Sequence, residues 1–134
     1  MPTDNLSNIV GGVPDAYEGH HLISVAQAQK YDVMHYAATN LKYNINRGSN
    51  GIALPGRTMS DADIIESKLP YHGGKHQPGY DALLNKRLTK LNDKFNAGLL
   101  DDSAITSGIA SIENQMRSNL KYDKIRLQRN DPRP

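Results

Sequence analysis

The chain has 134 residues and a formal net charge of +2, with no Cys, no Trp, one Phe and seven Tyr. That length fits one domain burying about two-thirds of its unfolded surface, around a core of Leu, Ile, Val and Ala. Lack of Cys excludes disulfides and thiolate zinc sites, so a metal must be held by N and O ligands; no apolar run approaches the ~20 residues of a membrane span.

In chain order, residues 1–15 are rich in Asn, Ser, Gly, Asp and Pro and read as a flexible N-terminal arm, which leaves 16–134 as a single domain. Met1-Pro2-Thr3-Asp4-Asn5 lacks the basic-then-apolar pattern of a signal peptide. Export would therefore depend on a carrier, and the expectation is that Met1 begins an excised fragment of a longer protein. Glu18 to Ile23 suits a short strand. Ser24 with Gln27 makes a capping box, which predicts a helix from there to about Leu41. Tyr43 to Asn50 is turn-rich, and Gly51 to Leu54 is a short apolar strand closed by Pro55.

Ser60-Asp61-Ala62-Asp63 starts a short helix that must stop before Pro70. Pro78 suits the first turn of the next helix, where Tyr80, Leu83, Leu84, Leu88, Leu91 and Phe95 recur at helical spacing. Gly98 ends it. A final helix starts at Asp102 or Ser103, with Ile105, Ile109, Ile112, Met116 and Leu120 on one stripe. Gly108 conflicts with it mildly, costing about 1 kcal/mol against Ala. The outline is α+β and helix-rich, with four helices and two short antiparallel strands.

The charge is unevenly spread. Residues 117–134 carry a net +4, and the remainder sums to −2. A basic tail suits a polyanion partner, while the simpler expectation is a frayed, solvated terminus.

Four of the five histidines fall in two pairs, His20-His21 and His72 with His76, and Asn50 lies between the pairs. Imidazole ligates divalent metals and works as a base near neutral pH, so the pattern points to a metal-assisted hydrolytic site. Neighbours on a flat strand point to opposite sides, so His20 and His21 share a centre only by dividing the tasks, or through a bend that Gly19 permits. His72 and His76 are a helix turn apart, but Gly73-Gly74 and Pro78 argue for an irregular loop that delivers His76 to a helix N-terminus. Asn50-Gly51 is by itself a turn signal. His35 stands outside the pattern and reads as structural.

Gly19-His20-His21-Leu22-Ile23, Asn44-Ile45-Asn46 leading to Asn50-Gly51-Ile52-Ala53-Leu54-Pro55, and His72-Gly73-Gly74-Lys75-His76-Gln77-Pro78-Gly79-Tyr80 together resemble the HNH superfamily of ββα-metal nucleases, and within it the AHH group. The likeness spans roughly residues 18–95, with Gly19 where the group's name implies Ala. It implies that His20, His72 and His76 bind one divalent metal, and that His21 is a general base held in orientation by Asn50. The implied reaction is hydrolysis of phosphodiester bonds. Imidazole ligands favour Zn or Ni, and open positions filled by phosphate and water accept Mg or Mn. Lys75 and Arg57 are the candidate phosphate contacts. Glu18 is expected to be a solvated neighbour rather than a further ligand, and Tyr80 a support for the metal loop. Lys86, Arg87, Lys90 and Lys94 form a basic helix face.

No base-reading motif is present, so cleavage with little sequence preference is expected, of DNA first and RNA as the alternative. Domains of this kind often form the C-terminal toxin of secreted bacterial effectors, including type VI effectors. The resemblance therefore also implies a carrier polypeptide, an acidic immunity protein and action in the target-cell cytoplasm. A noncatalytic metal- and nucleic-acid-binding module is the other reading.

Overall fold

The computed structural model describes residues 12–72, 78–122, 125–128 and 130–134. Strands β1 (Tyr17–His21) and β2 (Gly51–Pro55) pair antiparallel in the register Glu18↔Leu54, His20↔Ile52 and His21↔Gly51. Directly opposed residues share a face. His20 therefore lies with Ile52 and Leu54 on the core side, while His21 lies on the other face with Gly19, Gly51 and Ala53. Small residues around His21 leave that face shallow.

Five helices surround the hairpin among the described residues: α1 (Val25–Ala28), α2 (Asp32–Asn40), α3 (Asp61–Ser67), α4 (Pro78–Asn96) and α5 (Asp102–Tyr122). The architecture is α+β, as the sequence predicts. The single helix expected after Ser24 is instead two, broken around Tyr31. Ser24 caps the first turn, its hydroxyl accepting from Gln27 N at 3.2 Å. Tyr31 then turns extended (φ −122°), because its hydroxyl donates to Asn85 Oδ1 on α4 at 2.5 Å. A new helix starts at Asp32, and Asn92 Oδ1 accepts from Val33 N at 2.9 Å, so α4 caps α2. His35 holds the break from within, its Nε2 2.7 Å from Gln29 O.

The other caps follow the sequence. Ser60 accepts from Asp63 N at 3.2 Å to start α3, which ends on Lys68 in a left-handed conformation (φ 60°). Gly98 (φ +71°) closes α4, as a residue without Cβ does at little cost. Helices α4 and α5 pack through Leu84, Leu88, Ile105, Ile109 and Met116, all at most 1 % exposed. Gly108 explains itself here: a Cβ would meet Leu91 Cδ1 at 2.6 Å, so the glycine lets the two helices approach. No described helix is long and apolar enough to cross a membrane.

The described residues of the basic C-terminus, 125–128 and 130–134, pack against the domain rather than fray. Leu127 and Gln128 are buried, and Asp131 pairs with Arg133 at 2.9 Å. Asp131 Oδ2 also accepts from Tyr71 N at 3.1 Å, and Arg133 donates to Lys68 O and Ile125 O. The tail thus braces the segment that leads to His72. Local charge favoured solvation, but a buried ion pair and the apolar Leu127 outweigh it.

Candidate active site

His20 is inserted among Ile52, His72 and Tyr80 and is 3 % exposed. Its ring stands edge-on to His72 with centroids 5.0 Å apart, and to Tyr80 with centroids 5.1 Å apart. His72 is brought there by its backbone, whose N–H donates to Pro55 O at the end of β2 (2.7 Å). Tyr80, in the first turn of α4, donates its hydroxyl to Leu22 O at 2.6 Å. Burial first, and then Asp81, pushes the Tyr80 phenol up, so it stays protonated as a donor and supports the histidines rather than exchanging protons.

His21 faces the other way and is half-buried. Its Nε2 lies 2.8 Å from Asn46 Oδ1. A carbonyl oxygen only accepts, so a hydrogen bond across this pair calls for the proton on Nε2. Asn50 does something different from holding that ring. Fully buried, it accepts from Ile23 N at 2.8 Å and donates to Ile23 O at 3.0 Å and to Ile45 O at 2.8 Å. Its own carbonyl accepts from Leu22 N at 2.8 Å. Asn50 therefore stitches the end of β1 to the 43–50 loop, and the side chain bonded to His21 is that of Asn46. Asn50 thus bonds the backbone immediately after His21 and not the His21 ring, so an orienting role toward His21 runs through that backbone. The sequence placed Asn50 between the histidine pairs, but could not show that its amide is consumed by backbone groups which leave the strand pairing at Leu22 and Ile23.

Glu18 does not simply face solvent: its carboxylate accepts from Arg57 N at 2.8 Å and covers Gly56, where a Cβ would meet it at 2.5 Å. The Arg57 side chain extends from the loop so fixed and is exposed. Lys75 and His76 lie outside the described residues. Among the described residues no group of three or more metal-ligating side chains forms. His20 and His72 nevertheless suit a shared ion, because imidazoles bound at about 2.1 Å to one tetrahedral metal have centroids roughly 5 Å apart. Basic residues of α4 lie elsewhere: Lys86, Lys90 and Lys94 are exposed beside a surface groove of about 410 Å³, and Arg87 donates to Gln115 Oε1 at 2.9 Å.

The antiparallel hairpin and the start of α4 at Pro78 agree with the elements that the sequence suggested. A family model described as a nuclease family of the HNH/ENDO VII superfamily with conserved AHH matches residues 3–116. The chain belongs to this AHH family. No curated protein and no solved structure matches it. Gly19-His20-His21 reads as the family's AHH triplet with Gly in first place, and the match extends well beyond the 18–95 stretch into α5. A nuclease domain is thereby established, and with it a nucleic acid as substrate.

Sequence reasoning passed over Asn46. The usable signal was Asn44-Ile45-Asn46 itself, an apolar residue flanked by two asparagines: Ile45 enters the core, while Asn44 Oδ1 accepts from Asn46 N at 2.9 Å and shapes the turn. Glu113, midway along α5, was likewise invisible as a site component because its partners are some 70 residues away in sequence.

Proposed function

We propose that this chain is a metal-dependent endonuclease that hydrolyses phosphodiester bonds of DNA with little sequence specificity, acting as the C-terminal toxin domain of a secreted antibacterial effector. The observation that carries the catalytic part is the division of the histidines. His20 and His72 meet on the core side of the hairpin, while His21 emerges on the shallow face one residue away.

In this reading His21 takes a proton from the water that attacks phosphorus, which requires a neutral imidazole near physiological pH. His20, His72 and His76 would hold the metal. A bound divalent ion supplies charge neutralisation at the reacting phosphate and at the leaving 3′ oxygen. Mg, Mn, Zn and Ni all suit a site of imidazoles with positions open to oxygen. Buried behind the pair, Tyr80 and Ile52 keep His20 from turning to solvent. Arg57 and Lys75 contribute cations for the substrate phosphate.

The toxin role rests on the resemblance, with a carrier polypeptide, an immunity protein of acidic surface and action in the target-cell cytoplasm as its corollaries. The deciding experiment incubates supercoiled plasmid and a structured RNA with the protein and each metal in turn. Nicking and linearisation of the plasmid are expected, and both are expected to vanish in His21→Ala with fold and metal content retained. Wild-type rates in that variant refute the base assignment, and cleavage of RNA alone moves the substrate. His76→Ala should lower metal occupancy. Expression in a bacterial cytoplasm should arrest growth through DNA loss, and His21→Ala should abolish that arrest.

A further inference from the structure

We propose that Asn46 is a positioning residue that sets the tautomer of His21, so that Nε2 holds the proton and Nδ1 presents the lone pair to the attacking water. The proposal rests on the nuclease reading for its catalytic consequence, but not for its structural content. Neutral imidazole carries one ring proton, and which nitrogen bears it depends on the partner of the other. Asn46 Oδ1 lies 2.8 Å from Nε2 and accepts only. An Nδ1–H tautomer would set two lone pairs against each other there. In the Nδ1–H tautomer that nitrogen has no lone pair with which to take a proton from the water.

An orienting side chain must itself be held, and the loop bearing Asn46 is tied down on several sides. Asn46 is buried, and its N–H donates to Asn44 Oδ1. On either side of it, Tyr43 and Arg47 converge on one carboxylate of α5: Tyr43 donates to Glu113 Oε2 at 3.0 Å and Arg47 to Glu113 Oε1 at 2.7 Å. The Arg47 guanidinium also lies over the Tyr43 ring, 4.8 Å from its centroid. Arg117, one helical turn beyond Glu113, donates to Ser49 O. Glu113 is 1 % exposed, so its charge is well placed only because these two donors meet it. α5 thus grips the loop on both flanks of Asn46, and the loop fixes the His21 ring.

The test is ¹⁵N NMR of the histidine rings in the metal-free protein at alkaline pH, where imidazole is neutral, with His21 assigned by the loss of its signals in His21→Gln. The wild type should show His21 wholly as the Nε2–H form. Asn46→Leu, similar in size but without an acceptor, should show a mixture of tautomers. Its kcat should fall about ten- to a hundredfold, the scale of one lost hydrogen bond at the reacting centre. KM for plasmid DNA should stay within about twofold. Asn46→Asp retains an acceptor oxygen and should restore the Nε2–H form and most of kcat. An Nδ1–H form in the wild type, or an unchanged tautomer in Asn46→Leu, overturns the proposal. A wild type that cleaves no nucleic acid defeats the nuclease reading instead, and the ring spectra still decide the tautomer.

Discussion

Replacing Asn50 by Ala tests whether one amide closes the joint between β1 and the 43–50 loop. The substitution removes partners from three buried backbone groups, Ile23 N–H, Ile23 C=O and Ile45 C=O. Each orphaned buried polar group costs about 1–3 kcal/mol, and a water entering the vacated space would recover part of that. A net loss of about 3–5 kcal/mol follows, a large share of the 5–15 kcal/mol typical of a domain. Asn50→Asp sharpens the point. It keeps the acceptor for Ile23 N–H, but sets oxygen against two carbonyls where the amide donated. Its loss should be comparable to that of Ala, and should shrink in acid as protonation restores one donor. Urea unfolding followed by far-ultraviolet circular dichroism, with an unchanged slope against denaturant, gives the free energies. A loss below about 1 kcal/mol in Asn50→Ala, with the native fold retained, refutes the clasp.

Three further outcomes are expected. Tyr80→Phe removes the hydroxyl bonded to Leu22 O and should cost about 1–2 kcal/mol in the same assay while leaving cleavage measurable, and abolished cleavage in a folded variant would contradict its supporting role. Glu113→Ala strands Arg47 and Tyr43; Arg47 is partly solvated, so the cost should fall below the roughly 3–5 kcal/mol of a fully buried pair, at about 2–3 kcal/mol, and a neutral result would show that α5 does not grip the loop. Burial alone would raise the Asp131 carboxyl, but hydrogen bonds from Arg133 and Tyr71, with the Arg133 charge, hold it below its ordinary value of 3.8. A depressed value means that its stabilisation is present above about pH 4 and is lost as pH falls through the folded-state value. The wild type should therefore lose its Tm advantage over Asp131→Asn on acidification, and an advantage that persists unchanged in strong acid would rule this out.

Much of the candidate site was legible in the residues, and the reasons are local. Period-two alternation assigns His20 and His21 to opposite faces whatever surrounds them. Ser24, Ser60, Pro78 and Gly98 mark helix ends through backbone chemistry that needs no distant partner. The α5 stripe from Ile105 to Leu120 reads directly as a buried face, and all five of its residues are buried. The order of the histidines along the chain carried the resemblance to the AHH group, which the family match bears out.

Other features depend on groups far apart in sequence. The helix break at Tyr31 is made by Asn85 and Asn92, more than 50 residues away, and no local propensity announces it. Gly108 looks like a flaw until Leu91 is packed against it. Asn50 and Asn46 are chemically alike and four residues apart, and only folding distinguishes them. One faces three backbone groups in the interior, while the other faces an imidazole at the edge. The C-terminal charge reads as solvated until Asp131 and Arg133 pair beneath Lys68. Short-range periodicity and capping are written into neighbouring residues, so the chain alone determines most of its element ends and the opposite faces of His20 and His21. Hydrogen-bond partners across tens of residues are chosen by packing, because a buried donor must take whichever acceptor the fold brings within reach.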